Sequence, residues 1–232
     1  MADFDSSVAI LLFTRSARQD AARKKLVSSK GHGANVAVVA RLIDHAATTA
    51  QQAGVDFLLI ESARQTGVTF GERLSEAMQK AFASGYERLL VIGNDCPQLD
   101  VLLLRRALAA LAEGGAVLGP TTDGGVYLLG VAQTHFDAST WAALPWQTAT
   151  LGQSLAAHLE TAGAAVQALP RLADVDNEQD LAQALRLPLS NSLLRVLRWL
   201  RRSIVTPLVW HSDRLPQPAF AAAYPHRGPP DH

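Results

Sequence analysis

Apolar positions recur along the chain with two different periods, which predict strands and helices in alternation. Short apolar runs predict strands at 8–14, 55–60, 88–92, 116–119, 126–131 and 165–169. Apolar positions at helical spacing predict helices at 35–53, 70–84, 101–113, 151–162 and 178–187. This order predicts a three-layer α/β/α fold around a mainly parallel sheet, and the close pair of strands around PTTDGG predicts one antiparallel strand.

The composition changes at Pro188, so we expect one α/β domain over residues 1–187 and a distinct segment over 188–232. Residues 190–205, SNSLLRVLRWLRRSIV, predict a basic amphipathic helix, and the Pro- and Ala-rich remainder predicts a poorly ordered tail. Two alternatives stay open for the helix. Its apolar stripe docks onto its own domain or a second subunit, which we favour, or it lies on an anionic membrane surface.

Charge and cysteine content exclude several classes of protein. The chain carries 21 basic and 21 acidic residues, with seven Arg and two Asp in residues 186–232, and neither part is basic enough for a dedicated nucleic-acid binder. Cys96 is the only cysteine, which excludes a disulfide framework and fits a reducing cytoplasm. The acidic start MADFDSS lacks the basic-then-apolar order of a signal peptide, so we expect a cytoplasmic protein.

The segment LLVIGNDCPQLD, residues 89–100, predicts a buried strand that ends in a polar turn. Asn94 and Asp95 follow the strand directly, at the edge of an open α/β sheet where ligands bind. Because carboxylates suit hard cations such as Mg²⁺, Asp95 is a candidate metal ligand. The alternative is that Asp95 only caps the following helix.

The segment GPTTDGGVYLLG carries a second candidate carboxylate. Asp123 is followed by Gly124 and Gly125, which permit close approach of the backbone to a ligand, and Thr122 adds a polar group. Asp123 could therefore bind a metal or a sugar hydroxyl. The alternative is an ordinary hairpin turn, for which Asp-Gly is the commonest signal.

A third candidate lies in LADVDNEQDL, residues 172–181. Asp174 and Asp176 are two positions apart and share a face of an extended segment, so together they can hold a divalent ion. Alternatively, one of them caps the following helix. We expect Asp176 to be the cap and Asp174 the better ligand, although both roles can hold.

Basic residues follow the first predicted strand in TRSARQDAARKKL. Arg15, Arg23 and Lys25 are candidate phosphate contacts, and the alternative is a solvated helix face. Neither G-x-G-x-x-G nor G-x-x-x-x-G-K-[ST] occurs, so neither dinucleotide nor Walker-type binding is indicated. No nucleophile elbow occurs, and Cys96 is expected to be a packed small residue rather than a nucleophile.

Taken in order, five segments of the chain resemble a bacterial family of glycosyltransferase-A-like proteins. That family is related to the guanylyltransferases of molybdenum-cofactor and phospholactate metabolism. The segments cover most of residues 8–185 and are FTRSARQDAARKKL, QTGVTFGERLSEAMQKAFASGYERLLVIGNDCPQL, VLGPTTDGGVYLLG, LPWQT and DVDNEQDL. The resemblance implies a Rossmann-like nucleotide-diphosphosugar transferase (glycosyltransferase-A) fold. It also implies a divalent-metal-dependent transferase that acts on a nucleotide or nucleotide sugar, with Mg²⁺ or Mn²⁺ as cofactor.

The resemblance also assigns roles to individual residues. Asp95 would be the principal catalytic metal ligand and Asp174 or Asp176 the second. Our leading hypothesis adds Asp123 as a catalytic contact to substrate or acceptor. Arg73 of FGERL could reach substrate or pair on the surface. The other residues expected to contact phosphate or substrate are Arg15, Arg23, Lys25, Asn94, Thr122, Gly124 and Gly125.

The first loop departs from the family pattern. Ala17 and Asp20 stand at the Pro and Gly of a Pro-x-x-Gly turn, and residues 23–26, Arg-Lys-Lys-Leu, stand at a Lys-Thr-Arg-Leu run. The basic charges are kept, but the flexible turn is lost and Asp20 would repel a phosphate. Two alternatives therefore stay open: a nucleotidyltransferase of the guanylyltransferase type, and a non-catalytic nucleotide-binding protein that kept the fold.

Overall fold

A six-stranded mixed sheet forms the centre of the protein in a computed structural model, which describes residues 7–27 and 31–202. The strand order is β2-β1-β3-β5-β4-β6. Strand β5 is antiparallel to β3 and β4, and the other neighbours pair in parallel. The strands are β1 Val8–Phe13, β2 Asp56–Ile60, β3 Arg88–Ile92, β4 Ala116–Pro120, β5 Val126–Ala132 and β6 Val166–Ala168. The predicted mixed, mainly parallel α/β sheet with one antiparallel strand is confirmed.

Helices connect most of the strands and cover both faces of the sheet. Their bounds are α1 Ala17–Ala21, α2 His32–Gln51, α3 Phe70–Ala83, α4 Val101–Ala112, α5 Ala138–Ala142, α6 Leu151–Thr161, α7 Glu178–Ala184 and α8 Asn191–Arg202. The five helices predicted before Pro188 are confirmed to within a few residues at each end. Helices α1 and α5 were not predicted, because five residues are too few to show a helical period.

The alternating side chains of β1 show why the fold has three layers. Ala9, Leu11 and Phe13 pack with the helices α3 and α6 on one face of the sheet. Ile10 and Leu12 pack with α2 and α4 on the other face. Because successive side chains of a strand point to opposite faces, a strand covered on both sides must be apolar throughout. Every residue of β1 is buried accordingly.

The amphipathic helix α8 is docked onto its own domain. Leu193, Leu197 and Leu200 are buried in one cluster with Val38 and Leu42 of α2. The favoured alternative, docking of the apolar stripe, is confirmed for residues 191–202, whereas residues 203–205 and the predicted tail lie outside the described residues. Within the described ranges, no helix is both long and apolar enough to cross a membrane.

Candidate active site

A pocket of about 600 Å³ opens where β1 and β3 end, at the carboxyl edge of the parallel strands. This is the edge at which open α/β sheets bind their ligands. The volume lies within the range typical of small-molecule sites, about 300–1,000 Å³. Its polar lining includes Thr14, Arg15, Asp20, Gln65, Arg73, Asn94, Asp95, Asp123, Gln147, Thr148, Asp174 and Asp176.

The turn after β3 places Asn94 and Asp95 in this pocket. The Asn94 side chain is buried, accepts a hydrogen bond from Thr14 Oγ1 (2.8 Å) and donates one to Asp95 Oδ1 (3.0 Å). Helix α4 is capped not by Asp95 but by Asp100, which accepts from the backbone N–H of Leu103. The alternative role of Asp95 as a helix cap is therefore wrong, and its carboxylate is available to the site.

Lys24 lies at the centre of the carboxylates. Its ammonium donates to Asp95 Oδ1 and to the carbonyl of Val175 (3.1 Å), and it lies 3.1 Å from Asp176 Oδ1 and 3.7 Å from Asp20 Oδ2. Burial lowers the pKa of Lys24, but the charges and hydrogen bonds of these carboxylates outweigh it, so its pKa is raised above the ordinary value. Lys24 is therefore a permanent cation inside the site.

The segment before α7 brings two more carboxylates to the pocket. Helix α7 is capped by Asn177, which forms a capping box with Asp180. The prediction that Asp176 caps this helix is therefore wrong, and Asp176 pairs with Lys24 instead. Asp174 Oδ1 accepts a hydrogen bond from Cys96 Sγ at 2.8 Å.

The environment of Asp174 favours its neutral form. Burial raises the pKa of Asp174 to about 6, and the nearby carboxylates of Asp123, Asp95 and Asp176 add to this effect. The hydrogen bond from Cys96 opposes it. The charge of Asp174 therefore changes close to neutral pH.

The carboxylates predicted to hold a divalent ion contact other side chains in this arrangement. Asp95 and Asp176 both contact the Lys24 ammonium, and Asp174 accepts from Cys96. Over residues 7–27 and 31–202, no group of three His, Cys, Asp or Glu side chains is placed to hold a metal ion. The cation that the structure places among these carboxylates is the lysine.

The basic residues predicted to bind phosphate divide into two groups. Arg15 and Arg73 are half-buried and line the pocket. Arg15 lies 3.7 Å from Asp20, and Arg73 donates to the carbonyl of Val68 at 2.7 Å. Arg23 and Lys25 are exposed and lie outside the pocket lining.

The turn around Asp123 closes another side of the pocket. Asp123 Oδ1 accepts hydrogen bonds from Thr121 Oγ1 and from the backbone N–H of Gly125 at 3.1 Å, so this carboxylate stabilises its own turn. Gly125 lines the main pocket with Asp123, whereas Thr122 and Gly124 line an adjoining depression of about 460 Å³. The hairpin interpretation therefore holds, and the turn also presents a carboxylate to the pocket.

Aromatic rings form an apolar wall beside these charges. Trp146 is half-buried and packs against Phe70, with ring centroids 5.6 Å apart. Its indole N–H donates to the carbonyl of Trp141 at 2.7 Å. A Cβ at Gly71 would lie 2.6 Å from this indole, so only glycine admits the ring here. Gln147, next in the same loop, has a φ of 63° and also lines the pocket.

The sequence pattern of one protein family matches residues 21–148. The chain belongs to DUF2064. This family is described as uncharacterized protein conserved in bacteria, and the match runs from α1 through the loop that carries Trp146. No curated protein matches the chain in sequence.

Two solved structures are similar to this DUF2064 member, and the first shares its fold. A putative nucleotide-diphospho-sugar transferase from Desulfovibrio desulfuricans G20 is 24% identical, with a TM-score of 0.73 over 84% of this chain and 95% of that one. Rv0371c from Mycobacterium tuberculosis H37Rv, solved in complex with manganese, is 16% identical, with a TM-score of 0.45 over 78% of this chain and 99% of that one. The first likeness confirms the expected fold class.

Sequence reasoning did not single out Lys24 as a site residue. The basic run was interpreted as a phosphate-binding loop, and its exposed members Arg23 and Lys25 were named instead. One signal was present in the sequence, since Asp20 and Lys24 are four positions apart, the spacing of an ion pair on a helix. The contacts of Lys24 with Asp95 and Asp176 depend on long-range packing, so they could not be predicted from spacing.

Proposed function

We propose that the protein is a transferase that binds a nucleotide or nucleotide sugar in the pocket at the ends of β1 and β3. The observation that carries this proposal is the combination of groups in one pocket: the guanidinium groups of Arg15 and Arg73, several carboxylates, and the ring of Trp146. Guanidinium groups bind diphosphates, and an aromatic ring beside a pocket suits a nucleobase. Carboxylates accept hydrogen bonds from sugar hydroxyls.

The pocket supports glycosyl transfer to a hydroxyl acceptor. In this reaction the acceptor oxygen bonds to the anomeric carbon, the bond to the nucleoside diphosphate breaks, and a carboxylate takes the hydroxyl proton. We propose that Asp174 is the general base that accepts this proton, since a general base works best when its pKa lies near the working pH. Arg15 and Arg73 would neutralise the departing diphosphate, and no covalent intermediate with the protein is required.

Thermal unfolding with a panel of nucleotides and nucleotide sugars tests the binding. A ligand at 100 times its dissociation constant stabilises the folded state by about 2.7 kcal/mol. For a protein of this size, that raises Tm by roughly 5–10 °C. The panel is run with and without Mg²⁺ and Mn²⁺, so that the predicted metal requirement is measured directly.

Two variants make this test specific to the pocket. Arg15→Ala removes a pocket guanidinium, whereas Arg18→Ala removes the same charge from an exposed position of α1 outside the pocket. We expect the shift to be lost in the first variant and kept in the second. A panel without any shift, or a shift that survives Arg15→Ala, would contradict the proposal.

Product analysis distinguishes the reaction types once a ligand is found. Glycosyl transfer releases a nucleoside diphosphate from a nucleotide sugar, whereas nucleotidyl transfer of the guanylyltransferase type releases pyrophosphate from a nucleoside triphosphate. Binding without either product is the expectation for a protein that kept the fold without catalysis.

Peripheral membrane contact or self-association through residues 190–205 stays a prediction. Trp199 is 53% exposed on α8, where it is accompanied by several arginines, but the leucine stripe of the helix is already buried against α2. Any such contact would therefore use the outward face of α8 rather than its apolar stripe.

A further inference from the structure

The Lys24 side chain is enclosed to a degree that is unusual for a lysine. Only 7% of the side chain is exposed, and buried ammonium groups are tolerated only where they are paired and hydrogen-bonded. An ammonium has three hydrogens, and oxygens of Asp95, Val175, Asp176 and Asp20 lie around them at hydrogen-bonding or ion-pair distance. The charge is therefore fully compensated where it lies.

The backbone of Lys24 is fixed as firmly as its side chain. The buried amide of Asn35, on α2, donates to the carbonyl of Lys24 and accepts from the backbone N–H groups of Leu26 (2.9 Å) and Val27 (3.0 Å). The backbone N–H of Lys24 donates to the carbonyl of Asp20 at 3.1 Å. These contacts hold the ammonium in one place instead of leaving it on a mobile loop.

The ammonium lies where a divalent ion bridging Asp95 and Asp176 would bind. Mg²⁺ requires carboxylate oxygens about 2.0–2.1 Å away. Oδ1 of Asp95 and Oδ1 of Asp176, which would converge on such an ion, are instead engaged by the lysine nitrogen. A dication within a few ångströms of a buried ammonium would also be strongly repelled.

We infer that the Lys24 ammonium is the resident cation of this carboxylate cluster and that no divalent ion binds between Asp95 and Asp176. The lysine holds the turn after β3 against the segment before α7 and places one positive charge among three carboxylates. Holding these two segments together is the structural part of what a metal would do there. This inference concerns the cation alone and does not depend on which nucleotide the pocket binds.

The test is a titration of the full-length chain with Mn²⁺ alone, in which the EPR signal of free Mn²⁺ reports binding. Lys24→Ala removes the ammonium and leaves space between the carboxylates. Lys80→Ala removes the same charge from an exposed pair with Glu76 and is the matched control. We expect Lys24→Ala to bind Mn²⁺ at least tenfold more tightly than the wild type, and Lys80→Ala to be unchanged.

Asp95→Asn keeps the test decisive even if Lys24→Ala does not fold, which circular dichroism would show. The inference predicts that wild type and Asp95→Asn bind Mn²⁺ equally weakly, because the wild-type site is already occupied by lysine. Saturable binding of Mn²⁺ by the wild type that is lost in Asp95→Asn would overturn it. So would a folded Lys24→Ala variant whose affinity for Mn²⁺ equals that of the wild type.

Discussion

Replacing Asp174 by Asn is expected to stabilise the protein at neutral pH. Asp174 is a partly buried carboxyl group among other carboxylates, and Lys24 does not contact it. Its pKa in the folded state is about 6, against an ordinary value of 3.8. Asn has nearly the same shape and keeps an oxygen that can accept the hydrogen bond from Cys96, so the substitution removes chiefly the charge.

The sign of the pH dependence follows from the direction of the pKa shift. Between about pH 4 and 6 the folded state holds a proton on Asp174 that the unfolded state has lost, so the contribution of this residue to stability falls as pH rises. Each pKa unit corresponds to about 1.4 kcal/mol. At pH 7.5 the ionised Asp174 therefore lowers the stability of the folded state by at most about 3 kcal/mol. Screening by solvent reduces this loss to roughly 1–2 kcal/mol.

Urea or thermal unfolding of wild type and Asp174→Asn at pH 4.5 and pH 7.5 measures this effect. We expect a small difference at pH 4.5 and a Tm roughly 3–6 °C higher for the variant at pH 7.5. Asp176→Asn is the control, because it removes a partner of Lys24 and should not stabilise. A Tm difference that is equal at both pH values, or a variant less stable than wild type at pH 7.5, would refute the reasoning.

Three further predictions concern backbone, packing and reactivity. Gly124→Ala should lower the free energy of unfolding by about 3 kcal/mol, because its Cβ would lie 1.9 Å from the carbonyl oxygen of Ala149 at a φ of 94°. Gly163→Ala, whose Cβ would have nothing within 4 Å, should lower it by about 1 kcal/mol. Urea unfolding compares the two variants. In the same assay, Leu197→Ala should lower the free energy of unfolding by about 2–4 kcal/mol, because Leu197 is buried. Trp199 is half-exposed, so Trp199→Ala should lower it by less than about 1 kcal/mol. Equal effects of the two variants would contradict the docking of α8. Burial raises the pKa of the Cys96 thiol well above its ordinary value, so a thiol reagent at pH 8 should modify the native protein at least tenfold more slowly than the unfolded protein; equal rates would show that Cys96 is accessible.

The centre of the sheet could be predicted because its strands β1, β3, β4 and β5 are covered on both faces. A run such as VAILLF in β1 has few structural alternatives between two helical segments, and the turn PTTDGG indicated the antiparallel pair of β4 and β5. The position of the pocket followed from the same pattern, since the carboxyl ends of parallel strands share an edge.

The roles of individual polar residues were harder to predict. Asp, Asn and Ser cap helices almost interchangeably, so spacing alone assigned the cap of α7 to Asp176, whereas Asn177 performs it. The partners of Lys24 come from three separate segments of the chain, and a lysine in a basic run looks the same in sequence whether it is exposed or enclosed. These contacts are decided by tertiary packing, which a local pattern does not contain.

The contact between Lys24 and the segment before α7 also has a consequence for folding. The lysine and the Val175 carbonyl are 151 positions apart, and a backbone bridge joins Lys25 to Asn177 beside them. Contacts over such distances close large loops and form late. A chain emerging from the ribosome would therefore hold Lys24 and Asp95 well before Asp176 exists, and the pocket becomes complete only after the segment before α7 has been made.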